Sequence, residues 1–455
     1  MIRLDDSIAA VITPPGRGAV AIIRVSGPLV ASVAQAILGK IPVARQALFS
    51  RFKPMGQLID EGVAIFFPGP HSFTGEDVLE LQGHGGPVVV QQLLQAVLAQ
   101  GVRLAEPGEF SRRAFLNNKM DLAQAEAIAD LIQADSEQAA KSAMRSLQGE
   151  FSRHIEYLLQ QLIELRVYVE AAIDFSDEEI DFFDDARLAE HLTGLLRQLD
   201  TLAATARQGA ILREGMTVVI AGEPNAGKSS LLNALAGRET AIVTDLAGTT
   251  RDILREHIHI DGMPLHLLDT AGLRESHDQV EQEGIRRARE AIAAADLVLV
   301  VIDGSRKEPL TQLIQAALDQ LAGIDPLPPV SVLVNKLDLC AELECSAQGD
   351  VDKILLSAKT GQGLNDLREH LKARMGYTAS PEGVFMARRR HLVALAQARE
   401  AIEAGGENLA KQGLRGIELL AEELRHAQLA LSEITGAFTT DDLLGEIFSS
   451  FCIGK

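Results

Sequence analysis

The run Gly222-Glu-Pro-Asn-Ala-Gly-Lys-Ser229 constrains this chain more than any other stretch, because it fits the pattern G-x-x-x-x-G-K-[ST]. Residues 217–221 before it are apolar and read as a buried strand, and residues 229–236 after it carry leucines at helical spacing. Strand, loop and helix in that order are what a phosphate-binding loop requires. Gly222 and Gly227 let the backbone wrap a phosphate with its N–H groups turned inward, while the positive end of the helix faces the anion. The candidate ligand-binding residues here are Asn225, Ala226, Gly227, Lys228, Ser229 and Ser230. Lys228 reaches the outer phosphates, and the Ser229 hydroxyl is placed for Mg²⁺.

Four further stretches follow in a telling order. Gly248-Thr249-Thr250-Arg251-Asp252 falls in a loop, where a threonine completes the Mg²⁺ shell only when the terminal phosphate is present. Asp269-Thr270-Ala271-Gly272 closes the apolar run 265–268; its carboxylate can hold Mg²⁺ through water, and the Gly272 amide can meet the terminal phosphate. Asn335-Lys336-Leu337-Asp338 ends the strand-like run 332–334. Asp338 accepts from the ring N–H and exocyclic amine of guanine, a donor pair that adenine lacks. Ser357-Ala358-Lys359 follows the run 354–356 and offers a backbone N–H to the guanine carbonyl. Each motif is weak alone; five in order predict a guanine-nucleotide domain. Leu273 stands where small GTPases often carry a water-orienting glutamine, so another polar group must serve, with Arg274, Glu275 and Glu281 as candidates.

Length and charge bound the rest. At 455 residues the chain should hold roughly three domains. Residues 1–10 carry Asp5 and Asp6 where a signal peptide needs positive charge, and the longest apolar run is far too short to span a bilayer. Cytosolic residence without membrane insertion is the expectation. Cys340, Cys345 and Cys452 form neither a disulfide framework nor a C-x-x-C metal site. A net charge of −20 excludes a general polyanion binder, so any nucleic-acid contact needs a local basic patch or a second protein. The densest such cluster is Arg388-Arg389-Arg390-His391, which also reads as a solvated helix end.

Along the chain, short strand-like runs and short helices alternate over residues 1–118. Residues 122–173 have almost no glycine or proline and predict long helix, and helix resumes at 186–212 after an acidic break read as a solvated loop. Helix-rich sequence returns beyond residue 387. The expected fold is multidomain: an α+β N-terminal domain (1–118), an all-α helical domain built from two segments (119–212 and 377–455), and an inserted α/β Ras-like G domain (213–376).

The most specific pieces outside the G motifs are Thr13-Pro-Pro-Gly-Arg-Gly18, Phe73-Thr-Gly-Glu-Asp77, Leu81-Gln-Gly-His-Gly-Gly86 and Glu106-Pro-Gly-Glu-Phe110. Leu122-Ala-Gln-Ala-Glu-Ala127 and the terminal Phe451-Cys-Ile-Gly-Lys455 join them. With these the whole chain resembles the bacterial MnmE (TrmE) family of tRNA modification GTPases. The resemblance implies a flavoprotein partner, MnmG, and modification of carbon 5 of the wobble uridine in certain tRNAs. The added group is aminomethyl or carboxymethylaminomethyl, with the carbon drawn from a tetrahydrofolate derivative. It implies a GTP/GDP site in which Asn225 and the loop Thr244-Asp245-Leu246-Ala247-Gly248-Thr249 bind K⁺, through Asn225, Thr244, Leu246 and Thr249, while Ser229 and Thr250 hold Mg²⁺. The K⁺ supplies the charge that an arginine finger brings elsewhere and lets two G domains pair.

Further implications follow from the same resemblance. Glu281 orients the attacking water. Arg24, Glu80 and Lys119, with Lys455 from the C-terminus, bind folate in an N-terminal domain that also makes the homodimer. Cys452 has two readings, a thiol brought near the folate site or a residue that packs and positions the tail. Two other functions stay open at this level. One is a ribosome-assembly or other RNA-associated regulatory GTPase, and the other a folate enzyme whose GTPase is only regulatory.

Overall fold

The computed structural model describes residues 6–174, 185–236, 255–269, 286, 289–340, 352–377, 384–412, 416–437, 441–449, 451 and 454. Contacts divide the chain into two units: Met1–Ala129, Ser146–Leu199 and Val393–Lys455 form one, and Asp130–Arg145 with Asp200–Leu392 the other.

In the first unit six strands make one sheet: β1 (Ile8–Val11), β2 (Gly18–Ser26), β3 (Leu48–Phe52), β4 (Asp60–Phe67), β5 (Val78–Gly85) and β6 (Arg103–Leu104). Their order is β3-β4-β5-β2-β1-β6. Side chains alternate across a strand, so Ile23, Val25, Leu79 and Leu81 all enter one face. There they pack on Val30, Val33 and Ile37 of α1 (Val30–Leu38) and on Leu93 and Val97 of α2 (Pro87–Leu98). Helix α2 opens on Pro87, at a position whose N–H would have no helical partner. The other face is partly covered by Phe110 of α3 (Glu109–Leu116), which packs on Ile8 and Ala10.

An ion cluster fastens that cover. Arg113 on α3 is fully buried and donates to the Asp6 carbonyl at 2.8 Å and to Glu76 and Glu109 carboxylates at 3.0 Å each. Arg103 donates to Glu109 at 2.6 Å. Burial pushes the Glu109 carboxyl up, but hydrogen bonds from Arg103, the Glu106 amide and Arg113 outweigh it and hold the group below the usual carboxylate range.

The single long helix expected over residues 122–173 is instead three: α4 (Leu122–Ile132), α5 (Glu137–Leu147) and α6 (Glu150–Asp174). Side-chain capping ends the first run, where the Ser136 hydroxyl accepts the Ala139 N–H at 3.1 Å. Gly149, at φ +78°, turns the chain at the second break. Helix α7 (Asp185–Glu214) follows; the acidic break before it lies outside the described residues.

The second unit is built on β7 (Met216–Gly222), β8 (Arg255–Ile260), β9 (Met263–Asp269), β10 (Leu297–Asp303), β11 (Val330–Asn335) and β12 (Asp352–Leu355), in the order β12-β11-β10-β7-β9-β8. All neighbours are parallel except β8 with β9. Those two form a hairpin over Asp261 and Gly262, both at positive φ, the Asp-Gly signature of a tight turn. The strands are apolar on both faces because both are covered. On one side Val218, Ile220, Leu265 and Leu299 meet Leu231 and Leu235 of α8 (Lys228–Ala236). On the other, Val219, Val298, Val300 and Val332 meet Ile314 of α9 (Leu310–Asp319). Helix α10 (Leu364–Met375) adds Leu367 and Leu371 to the first side. The later flank is again three helices, α11 (Arg389–Gln412), α12 (Ile417–Thr435) and α13 (Asp441–Ser449).

One carboxylate on residues 130–145 bonds to both flanks of the nucleotide sheet. Asp130, 5% exposed, accepts from Arg213 Nε at 3.0 Å and from an Arg388 guanidinium nitrogen at 2.8 Å. Arg213 lies just ahead of β7 and Arg388 just ahead of α11, so one side chain ties the outgoing chain to the returning one. Asp130→Ala should lower stability by about 3 kcal/mol, because two largely buried guanidinium groups lose their shared anion. Urea unfolding of the full chain measures this. An unchanged transition would mean that the arginines find other partners and that Asp130 is no pin.

Candidate functional site

The sheet order reverses at β7, and ligands of open α/β sheets bind outside the carboxyl ends of the strands at such a point. The loop leaving β7 is shaped by glycines that no other residue could replace. Gly222 sits at φ +141°, and a Cβ there would stand 2.3 Å from the Val301 carbonyl oxygen of the neighbouring strand. Gly227 sits at φ +98°, and its Cβ would meet Asn335 Nδ2 at 2.2 Å. Asn225 between them is also at positive φ, 62°, a conformation asparagine tolerates better than most residues. The result is a tight concave loop whose next residue, Lys228, opens α8.

Lys228 Nζ donates to the carbonyls of Gly222 at 2.8 Å and Glu223 at 3.0 Å. Two of its three protons thus hold the ammonium at the loop while one remains for an anion. Backbone amides, a helix start and a fixed cation converge on one concavity, a fit for the phosphates of a nucleotide.

Asn335 fastens this loop to the one after β12. Its carboxamide is 2% exposed; Nδ2 donates to the Ala226 carbonyl at 2.9 Å, and Oδ1 accepts the Ala358 N–H at 3.0 Å. Buried amides this completely satisfied fix geometry more than they add energy. Asp338 Oδ1 accepts the Ser357 hydroxyl at 2.6 Å, so its other oxygen is oriented by a buried side chain. Lys336 Nζ bonds Asp303 Oδ2 at 2.6 Å. Burial pushes the Asp303 carboxyl up, and hydrogen bonds from Lys336 and Ser305 outweigh it, holding the carboxyl below the ordinary range. Asp303 is opposite Asn335 in the β10–β11 register. The sequence reading passed over Asp303, although an acid closing an apolar strand is the same signal that singled out Asp269. Burial, then the charges of Asp303 and Asp338, push the Cys340 thiol up, which makes it a poor nucleophile.

The structure therefore brings together Asn225, Ala226, Gly227, Lys228, Asn335, Lys336, Asp338, Ser357 and Ala358. Asp269 ends β9 on the same edge of the sheet. Thr244 to Thr250, Thr270 to Gly272, Leu273, Arg274, Glu275 and Glu281 lie outside the described residues, as do Cys345, Cys452 and Lys455.

In the first unit Arg24 and Glu80 face each other across the β2–β5 register, with Arg24 nitrogens 2.9 and 3.0 Å from Glu80 Oε1. The guanidinium lies 5.1 Å from the Phe73 ring centroid and 5.7 Å from that of Phe110. Lys119 Nζ donates to the Pro70 carbonyl at 2.9 Å, on the loop that also carries Phe73. A side chain at Gly454 would meet the Val11 carbonyl oxygen at 2.8 Å, so the chain's penultimate residue reaches the end of β1, next to the strand bearing Arg24. The basic cluster at 388–391 is split: Arg388 is paired with Asp130 and His391 is 2% exposed, whereas Arg389 is exposed. Among the described residues no group of histidine, cysteine or acidic side chains has the arrangement of a metal centre, and no helix is long and apolar enough to cross a membrane.

Comparison with known proteins agrees with this reading over the full length. The model of the GTP-binding protein TrmE N-terminus matches residues 7–119, and that of the MnmE helical domain matches residues 122–452. The tRNA modification GTPase MnmE of Proteus mirabilis (strain HI4320) is 60% identical over 455 residues, 99% of each chain. Among solved structures, a GDP-bound GTP-binding protein from Sulfolobus solfataricus is 20% identical over 48% of this chain and 67% of its own, at a TM-score of 0.29. The G domain of the T. maritima FeoB iron transporter is 26% identical over 35% of this chain and 98% of its own, at 0.28. At such TM-scores these two likenesses carry no argument. The family models and the near-identical length of the Proteus relative do: the chain belongs to the MnmE (TrmE) family of tRNA modification GTPases.

Proposed function

We propose that this chain hydrolyses GTP and uses the nucleotide cycle to drive modification of carbon 5 of the wobble uridine in certain tRNAs, in the cytosol. It acts with the flavoprotein MnmG and a tetrahydrofolate one-carbon donor, adding an aminomethyl or carboxymethylaminomethyl group. The observation that carries the GTP part is the junction at Asn335, which locks the phosphate loop to the loop that orients Asp338. One end of the nucleotide cannot shift without the other. The tRNA part rests on family membership.

The residues divide the work. The amides around Gly227 and the Lys228 ammonium hold the phosphates and stabilise charge that grows on them during hydrolysis. Asp338 selects guanine, because a carboxylate at that position accepts two N–H groups only from that base. Ser229 and Thr250 would hold Mg²⁺, which screens the phosphate charge. Asn225, Thr244, Leu246 and Thr249 would hold K⁺, which supplies positive charge without an arginine. Glu281 would orient the water that Leu273 cannot. Two G domains would pair through the K⁺ loop in a homodimer whose N-terminal domains (1–118) hold folate at Arg24, Glu80, Lys119 and Lys455. The helical segments 119–212 and 377–455 would carry the inserted G domain (213–376) and transmit its state, with Cys452 near the folate.

Two outcomes test this reading. Asp338→Asn should weaken GTP binding about a hundredfold and improve binding of xanthosine triphosphate, whose second carbonyl suits an amide donor. Fluorescent-nucleotide titration measures both, and an unchanged preference would remove Asp338 from base recognition. Nucleoside mass spectrometry of total tRNA from cells lacking the gene should show the wobble modification lost, with no rescue by Lys228→Ala. Intact tRNA in the deletion strain would leave a GTPase whose output lies elsewhere.

A further inference from the structure

Between the two loops that would hold a nucleotide stands a third, the turn Asp303-Gly304-Ser305-Arg306 at the end of β10. Sheet order places β10 between β7, which leads into the phosphate loop, and β11, which leads to Asp338. The registers agree, with Val301 opposite Gly222 on one side and Asp303 opposite Asn335 on the other.

The turn has a fixed shape. Asp303 Oδ1 accepts the Ser305 N–H at 3.0 Å and the Ser305 hydroxyl at 2.6 Å, so the carboxylate folds the turn back on itself. The Gly304 N–H donates to the Asn335 carbonyl at 2.9 Å. A Cβ at Gly304 would stand 2.8 Å from Val334 Cγ1 and 3.0 Å from that same carbonyl oxygen, so glycine lets the turn lie against the end of β11.

Two side chains reach out from it in opposite senses. Asp303 Oδ2 takes the Lys336 ammonium at 2.6 Å, with the two side chains 16% and 29% exposed. Arg306 pairs instead with Glu223 of the phosphate loop, and both of these side chains are more open to solvent. The Glu223 carbonyl accepts Lys228 Nζ at 3.0 Å. One residue therefore meets the turn through its carboxylate and the phosphate-binding ammonium through its backbone.

We propose that this turn is a clasp that sets the rate of nucleotide release, with Asp303 and Arg306 as positioning residues that act through Lys336 and Glu223. It rests on the nucleotide reading of the site and goes beyond it, from what holds the ligand to what lets it go. A nucleotide with its phosphates at Lys228 and its base at Asp338 lies across the end of β10 and leaves when the two loops part. Asn335 ties those loops through a buried amide, which yields only with the packing around it. The turn ties them a second time through groups that reach solvent, and these can break singly. Exposed ion pairs contribute little to stability, so the Arg306–Glu223 pair acts on a rate rather than on the fold. The Lys336–Asp303 bond is the stronger half, being short, charge-assisted and more enclosed.

Stopped-flow release of a fluorescent GDP analogue from the full-length protein, chased with excess GDP, tests the clasp. Arg306→Glu should speed release about threefold, and the charge-swapped double variant Glu223→Arg with Arg306→Glu should restore the wild-type rate. A purely structural role would not be repaired by exchanging the charges. Asp303→Asn and Lys336→Met should each speed release about tenfold, and the two together no more than either alone. Should Asp303→Asn fail to fold, as thermal melting of the nucleotide-free protein would reveal, the exposed charge swap decides by itself. A swap that leaves release fast, or fully additive effects of Asp303→Asn and Lys336→Met, overturns the proposal. Wild type that retains no GDP analogue at all would count against the nucleotide reading itself, and the clasp falls with it.

Discussion

One buried carboxylate governs how the nucleotide sheet is held. Asp130 accepts two guanidinium groups, one from the segment that leads into β7 and one from the segment that leads out after α10. Burying a single ion pair seldom gains stability, but a carboxylate shared by two arginines cannot be relocated without stranding charge. The surrounding apolar contacts reinforce the same point, with Leu212, Val384 and Met386 packed on Ala139 and Ala143 of α5. An inserted domain requires its two ends to be adjacent, and here that requirement is met by chemistry rather than by packing alone.

The hairpin of β8 and β9 is tied to the same collar. The Ser136 hydroxyl donates to the Gly262 carbonyl at 3.1 Å, Lys372 Nζ bonds Asp261 at 2.7 Å, and the Tyr377 hydroxyl donates to the Asp261 carbonyl at 3.1 Å. In sequence the hairpin leads from the Thr250 loop to Asp269. The tip of the hairpin is bonded to the residue just ahead of α5.

Much of this could be read from the residues. Strands β7, β9 and β11 were legible because they are apolar on both faces and each ends in a motif residue. The base-selecting pair was half legible. Asp338 follows from its motif, but the Ser357 hydroxyl that orients it comes from a loop nineteen positions on, a contact that only the β11–β12 pairing creates. Helix breaks at Ser136 and Gly149 were missed because alanine- and glutamine-rich sequence looks uniformly helical, and a cap is a matter of geometry rather than composition. The Arg306–Glu223 pair was invisible for the same reason, since its partners lie 83 positions apart and meet only because β10 pairs with β7.

The placement of positive charge bears on how a polyanionic substrate reaches such a molecule. A chain with net charge −20 repels tRNA at long range, and binding then needs a concentrated basic surface. The densest basic run in the sequence offers only part of its charge outward, at Arg389. Arg388 is turned inward to Asp130, His391 is buried, and Arg388's own N–H donates to His391 Nδ1 at 3.1 Å, closing the start of α11. Arginines that hold a domain in place cannot also neutralise phosphates, because withdrawing either one leaves a buried carboxylate short of its partner. That conflict leaves any contact with a polyanion to surfaces other than this one. The same logic accounts for the N-terminal face, where Arg24 is paired with Glu80 and cushioned by two aromatic rings. A cation so enclosed is a poor counter-charge for a nucleic-acid backbone passing over it.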